Sequence, residues 1–552
     1  MSTQIEVLNK RLLKLALPNI LSNITVPLLG IIDLALAGHL SDIGAIGGVS
    51  VASTIFNLIY WNFSFLRMGT TGLTAQANGA EDKSAMGRNL AQSLGIALSF
   101  GLLILALRSH ALEVLLGVLQ PDPQVVGYAT QYFQIVIWGA PAILGTYALN
   151  GWIIGMQNTW YPMIVSIIPN ITNILISALL VIVYNYGIVG IAIGTVVAQW
   201  LGALLLLAGA YGLFLRGQKA TLPTSWTELK VGIRKYFSTN VHILIRTMLL
   251  AFVAFYFTAA GTRMGTLTLS TNALLLQFST IFSYFIDGFA YAAEAIVGQA
   301  YGRKDRTKLL QAIRILMVWG LGLALLVALI YYLGGRHFIY FLTDLPDARH
   351  LALHYIDWVY LLPLTGFLAF LMDGVYVGLT ATRQMMISMF VAVGVFFALN
   401  LTLPFQDPNN ALWFAFVTYL LIRGVMLAIM LPRKLTPRYY IGVGSTLLNS
   451  EYKIRKLLTD HYGKKIRLAP FYYTIDTKGT ERKYLNTVAE LHSDKEPQAL
   501  QLELKGIEKQ AGRVHGEDEV ALDLDLVCRE NEILRPSDYH RDYFRQGYKA
   551  LG

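Results

Sequence analysis

The chain has 552 residues, 55% hydrophobic and 14% charged, with a mean hydropathy of +0.50 and a formal net charge of +10. Soluble proteins carry about 25% charged residues, so a wholly soluble protein is excluded. The single cysteine, Cys528, excludes an intrachain disulfide and a thiolate metal cluster.

Twelve apolar stretches follow one another, at about 12–38, 45–68, 89–108, 130–156, 161–184, 188–214, 241–260, 268–298, 312–333, 352–378, 386–404 and 411–431. Each supplies the roughly 20 residues that a membrane-spanning helix needs. The first has no small-residue cleavage site and is read as a retained helix, not a signal peptide. Basic residues flank the stretches unevenly. One side collects nineteen, including Lys10, Arg11, Lys14, Lys83, Arg88, Arg234, Lys235, Arg303, Lys304, Arg433 and Lys434, and the other has Arg108, Arg263, Arg336 and Arg349. That asymmetry predicts a multi-pass membrane protein with both termini in the cytoplasm, and the expected location is the cytoplasmic (inner) membrane of a bacterium. Residues 1–438 hold 26 basic against 16 acidic residues, and the remainder 18 of each. The basic excess therefore belongs to membrane topology, and no nucleic-acid partner is expected.

The membrane part is doubled. Asn150-Gly151-x-x-x-Gly155 recurs as Asp373-Gly374-x-x-x-Gly378, 223 residues on, and Gln76-Ala77-x-Gly79-x-x-Asp82 recurs as Gln299-Ala300-x-Gly302-x-x-Asp305 at the same offset. Ala37-Gly38 and Ala260-Gly261 repeat it again. The expected fold is an all-α polytopic membrane protein of twelve helices in two six-helix repeats. The halves are 1–214 and 241–438, joined by a polar cytoplasmic linker at 215–240. Such repeats mark alternating-access transporters, with the substrate path between the halves.

Ionisable side chains inside spanning helices are costly, so each is a functional candidate. The set is Asp33 in helix 1, Arg67 in helix 2, His242 and Arg246 in helix 7, Asp287 and Glu294 in helix 8, Asp373 in helix 10 and Arg423 in helix 12. Two readings stand side by side. One is a structural ion pair, such as Arg246 or Arg423 with an acid. The other is a substrate path lined by Asp287, Glu294, Asp373 and Arg246, with Asp373 as a proton relay or counter-charge whose replacement by Asn would leave stability nearly unchanged. Arg67 and Glu294 have a third, since long side chains near a helix end can snorkel to the boundary. The glycines at 151, 155, 374 and 378 are expected to allow close helix packing.

Pro18, Asn23, the Asp33 segment Ile-Ile-Asp-Leu-Ala-Leu-Ala-Gly-His-Leu, and Asp-Gly-Phe-Ala-Tyr-Ala-x-Glu-Ala-x-x-Gly-Gln-Ala-Tyr-Gly at 287–302 make residues 1–435 resemble the multidrug and toxic compound extrusion (MATE) family, in its DinF-like branch. The resemblance implies a monomeric, cation-coupled antiporter in the lipid bilayer that exports amphipathic, often cationic small molecules. It implies a coupling site with Asp33 as the acid, Asn173 and Thr195 beside it. The family's second acid, in helix 5, is Ser177 here. That favours H⁺ over Na⁺, because a proton needs only one carboxylate. A lipid-linked oligosaccharide flippase has the same two-half architecture, but the 287–302 motif argues against it.

From Tyr439 the composition turns polar, and 439–552 is long enough for a small domain. Strands are expected at 439–444, 467–474, 484–490 and 520–527, with helices at 449–461 and 498–510, which suggests a small α/β or α+β domain. Asp523 and Asp525 alternate with Leu522, Leu524 and Leu526, so both carboxylates face one side of a strand. With Tyr440-Ile441-Gly442-Val443-Gly444-Ser445, Phe471-Tyr472-Tyr473-Thr474, Tyr484-Leu485-Asn486 and Arg513, this series resembles 6-hydroxymethyl-dihydropterin pyrophosphokinase, of ferredoxin-like fold. The resemblance implies Mg²⁺ and ATP as cofactors, Asp523 and Asp525 as metal ligands, Asn486 as the pterin contact and Arg513 near the phosphates. Where that family carries further cationic groups this chain has Val520, His515 and Ser537. Phosphate transfer leans on such groups, so a degenerate domain is expected in preference to a membrane-tethered pyrophosphokinase.

Overall fold

The computed structural model describes residues 2–38, 43–402, 406–447, 449–475, 483–513, 520–530 and 532–551, without the side chains of 2–4, 26–35, 38, 43 and 432–434. The chain divides into two compact units, Met1–Ile429 and Met430–Gly552.

Twelve long helices build the first unit. They are α1 (Ser2–Gly38), α2 (Gly44–Gly79), α3 (Lys83–Leu119), α4 (Pro123–Gly155), α5 (Trp160–Val183), α6 (Gly187–Leu215), α7 (Ile233–Arg263), α8 (Thr266–Gly302), α9 (Arg306–Leu342), α10 (Pro346–Gly378), α11 (Thr382–Thr402) and α12 (Pro408–Leu435). The helices run well beyond the apolar stretches. α3 and α9 each have 37 residues, because their polar ends continue the helix outside the apolar window. Leu325, Leu326, Leu329, Ile330 and Leu333 of α9 are all more than half exposed, an apolar face of the kind that lipid covers.

The repeated motif has a structural meaning at each position. Asp82 and Asp305 are the N-caps of α3 and α9, accepting from the backbone N–H of Ala85 and Lys308. The residues before them, Glu81 and Lys304, turn the chain at φ +56° in both repeats. Gly79 and Gly302 bring α2 and α8 together. A Cβ on Gly79 would stand 2.1 Å from the Gln299 carbonyl oxygen, and one on Gly302 2.0 Å from that of Gln76. Gly151 lies against the carbonyl of Arg67, and Gly374 against that of Ala290, each at 2.3 Å from an added Cβ. These contacts are equivalent under the 223-residue offset, so the repeat is a repeat of packing as well as of sequence.

In the second unit, β1 (Arg438–Ser445), β2 (Ile466–Leu468), β3 (Tyr472–Ile475), β4 (Lys483–His492), β5 (Asp523–Arg529) and β6 (Glu532–Ile533) form an antiparallel sheet. Its order is β2-β4-β1-β5-β6, with β3 also pairing β4, as the ferredoxin-like expectation requires. The single strand expected at 467–474 is broken into β2 and β3 around Pro470, which has no N–H for a ladder. α13 (Glu451–Tyr462) and α14 (Pro497–Gln510) cover one face through Ile454, Leu458, Leu500, Leu504 and Ile507. On the other, α16 (Asp542–Leu551), which follows the short α15 (Pro536–Tyr539), buries Phe544 against Val488, Val527 and Cys528.

Candidate functional site

In the first half, Asn173 and Ser177 stand one turn apart on α5, facing Thr195 of α6. Asn173 Nδ2 donates to Thr195 Oγ1 at 3.2 Å, Ser177 Oγ donates to Asn173 Oδ1 at 2.9 Å, and Thr195 Oγ1 donates to the Ile191 carbonyl at 3.0 Å. The Tyr132 hydroxyl of α4 lies 3.4 Å from Thr195. Gly194 admits this approach, since a Cβ there would meet Ser177 Oγ at 2.1 Å. All three side chains are buried, and none carries a charge. Asn173 and Thr195, which the family resemblance names, are in direct contact. Asp33 lies on α1, but its side chain is outside the described residues.

The remaining membrane charges form two groups. Arg67 of α2 holds Glu294 of α8 in a two-pronged pair, Nη1 to Oε2 at 3.1 Å and Nη2 to Oε1 at 3.2 Å, and lies over the Tyr291 ring at 3.8 Å. This pair crosses between the halves. Neither partner snorkels, and Glu294 is only 1% exposed. In the second half, Asp373 Oδ2 accepts from Nη2 of both Arg246 of α7 and Arg423 of α12, the latter at 2.9 Å. Arg423 also lies 5.3 Å above the Phe370 ring. Of the two readings of the sequence, the ion-pair one describes these contacts: Asp373 is the shared anion of a triad with Arg246 and Arg423. Asp287, seven residues before Glu294 on α8, makes no hydrogen bond or ion pair among the described residues, and the charges that reach it are Arg67, Arg246, Arg423 and Asp373. Sequence reasoning could name these groups but not their partners, which lie 50 to 227 residues apart.

One end of the membrane unit is closed by bonds between the halves. Arg11, which also donates to Gln157 Oε1 of its own half at 2.8 Å, donates to Gln299 Oε1 of the other, and Gln299 Nε2 donates to Asn78 Oδ1 at 2.7 Å. Gln76 Nε2 donates to the Gly378 carbonyl and Gln157 Nε2 to that of Ala295, both at 2.8 Å. Gln76 and Gln299 are the repeated glutamines of the sequence motif, and the signal was present in their spacing.

In the tail, Asp523 and Asp525 project from β5 on either side of the buried Leu524. Each already holds a guanidinium: Arg513 pairs with Asp523, and Arg535, which sequence analysis did not single out, pairs with Asp525. Glu508 accepts from the Leu524 N–H at 2.8 Å and sits 3.0 Å from Arg513. Burial, then the neighbouring Asp523, raises the Asp525 carboxyl above its ordinary range. Asn486 Nδ2 donates to Thr474 Oγ1 at 2.6 Å. His515 lies outside the described residues. Each carboxylate of the pair is thus matched by an arginine of the domain itself.

Comparison with known proteins follows these lines. The family model described as MatE matches residues 18–179 and 243–402, and that described as 7,8-dihydro-6-hydroxymethylpterin-pyrophosphokinase matches 440–548. DNA damage-inducible protein F of Escherichia coli K12 is 39% identical over 422 residues, covering 76% of this chain and 91% of that protein. A probable multidrug resistance protein NorM of Thermotoga maritima is 26% identical, covering 62% and 74%. Among solved structures, the bent form of the Vibrio cholerae MATE transporter VcmN superposes with a TM-score of 0.69 at 18% identity, covering 78% of this chain and 98% of that one.

Proposed function

We propose, given that the chain belongs to the MatE family, that it is a secondary active exporter of small amphipathic molecules, driven by proton influx through alternating access of its two halves. The observation that carries the proton reading is the Asn173–Ser177–Thr195 cluster, buried and uncharged. By the family resemblance, the coupling site has one carboxylate, Asp33, which is too little negative charge for a desolvated Na⁺ and enough for a proton. The basic flanks put the termini in the cytoplasm, and the end closed by Arg11, Gln76, Gln157 and Gln299 is then the cytoplasmic one. In the interior, Arg67, Arg246 and Arg423 offset Asp287, Glu294 and Asp373, so the path does not select for cations alone.

Proteoliposomes test this. Efflux is expected under a pH gradient at constant Na⁺ and not under a Na⁺ gradient at constant pH. Asp33→Asn is expected to abolish gradient-driven efflux, and Ser177→Asp to introduce a Na⁺ response. Na⁺-dependent efflux by the wild type without a pH gradient would overturn proton coupling, and an active Asp33→Asn protein would remove Asp33 from the mechanism.

The tail is not part of the transport step in this reading, since the basic residues Arg433, Lys434 and Arg438 already complete the membrane topology. Deleting 439–552 is expected to leave membrane insertion and efflux rate near wild type. A truncated chain that inserts but no longer transports would tie the tail to the cycle.

A further inference from the structure

We propose that Arg513 and Arg535 are resident cations that occupy Asp523 and Asp525 in place of divalent metal, so that the tail holds its carboxylate pair with guanidiniums and does not take Mg²⁺ there. The two arginines reach the strand from opposite connections. Arg513 follows α14 through a turn at Gly512, φ +91°, and spans Asp523 and Glu508. Arg535 immediately precedes α15, and its position is fixed by the chain: the N–H groups of Leu534 and Arg535 both bond to the Val527 carbonyl, at 2.8 and 3.2 Å. Its guanidinium meets Asp525 and stands 3.8 Å from Asp538, which in turn holds Arg541 at 2.9 Å.

Three features favour the guanidiniums over a metal. An arginine stays charged at any physiological pH and matches carboxylate geometry with directed hydrogen bonds. Because it is tethered, its effective concentration at the carboxylate is in the millimolar range or above, so free Mg²⁺ competes at a disadvantage. Mg²⁺ at such a site is held by one or two carboxylates with phosphates and waters, and here both carboxylates of the pair are already engaged by arginines of the domain. In this arrangement β5 is tied to α14 and α15 by ion pairs.

The test is titration of the full-length protein in detergent with Mn²⁺, read by the loss of the free-ion paramagnetic resonance signal. Wild type and Asp525→Asn are expected to bind the same small amount of Mn²⁺, and thermal unfolding of the wild type is expected to be unchanged by Mn²⁺ or chelator. Arg513→Gln combined with Arg535→Leu is expected to gain a site at least about tenfold tighter, lost again when Asp525→Asn is added. A stoichiometric wild-type Mn²⁺ site that Asp525→Asn removes would overturn the proposal. So would a folded double-arginine variant, judged by circular dichroism, that gains no site. If that variant does not fold, the wild-type titration alone decides.

Discussion

Asp373→Asn is expected to destabilise the membrane unit by about 3–5 kcal/mol, the usual cost of breaking a buried ion pair from one side. The amide keeps the shape of the side chain and one acceptor, but it removes the one carboxylate that pairs directly with both Arg246 and Arg423. The Nε atoms of both have no hydrogen-bond partner among the described residues. Comparing the two repeats alone leads to the opposite expectation, because the equivalent residue is the neutral Asn150. The first half tolerates the amide there because the positive partners are also missing. The position equivalent to Arg246 is Asn23, and α6, the counterpart of α12, has no charged residue. Thermal unfolding in detergent checks this. A transition within a degree of wild type would show that the triad is not structural. The triple change Asp373→Asn, Arg246→Leu, Arg423→Leu should recover part of the loss, since a well-packed apolar replacement removes the uncompensated charges.

Gly79→Ala together with Gly302→Ala is expected to arrest transport while leaving the protein folded. The added methyl groups would stand 2.1 and 2.0 Å from backbone carbonyl oxygens of the opposite half. Backbone cannot swing aside as a side chain can, so α2 and α8 must part. The closed arrangement of this end then loses population to whichever state holds the halves open here. A penalty of only about 1.4 kcal/mol per site shifts the balance about tenfold each time. Efflux measured at matched protein incorporation should fall accordingly. Wild-type flux from the double variant would mean that this end does not need to close tightly during the cycle.

Much of the fold was legible in the chain because its signals are local or periodic. Apolar stretches give helices, and the 223-residue offset gives two halves. Gln76, Gly79 and Asp82, each with its repeat, turn out to hold an interhelical bond, a close approach and a helix cap. The partners of Arg67, Arg246 and Arg423 were not legible. A charge in a helix announces its cost but not the distant residue that compensates it. Arg535 escaped for a related reason. It lies outside the alternating strand, and only the fold of the tail swings it back onto Asp525, ten residues earlier. The Asn173–Thr195 contact was legible only by family resemblance, since two neutral polar residues in apolar helices are otherwise unremarkable.

Cys528 lies on β5 in the core under α16, 1% exposed, with its thiol pushed up to about 11 by burial. At neutral pH it therefore presents neither an accessible sulfur nor an appreciable thiolate fraction. The native chain is in effect chemically silent toward maleimides and alkylating reagents while folded. A cysteine introduced anywhere along the twelve helices can be read by its labelling rate without first removing the natural one, and sudden labelling of Cys528 itself would report that the tail has come apart.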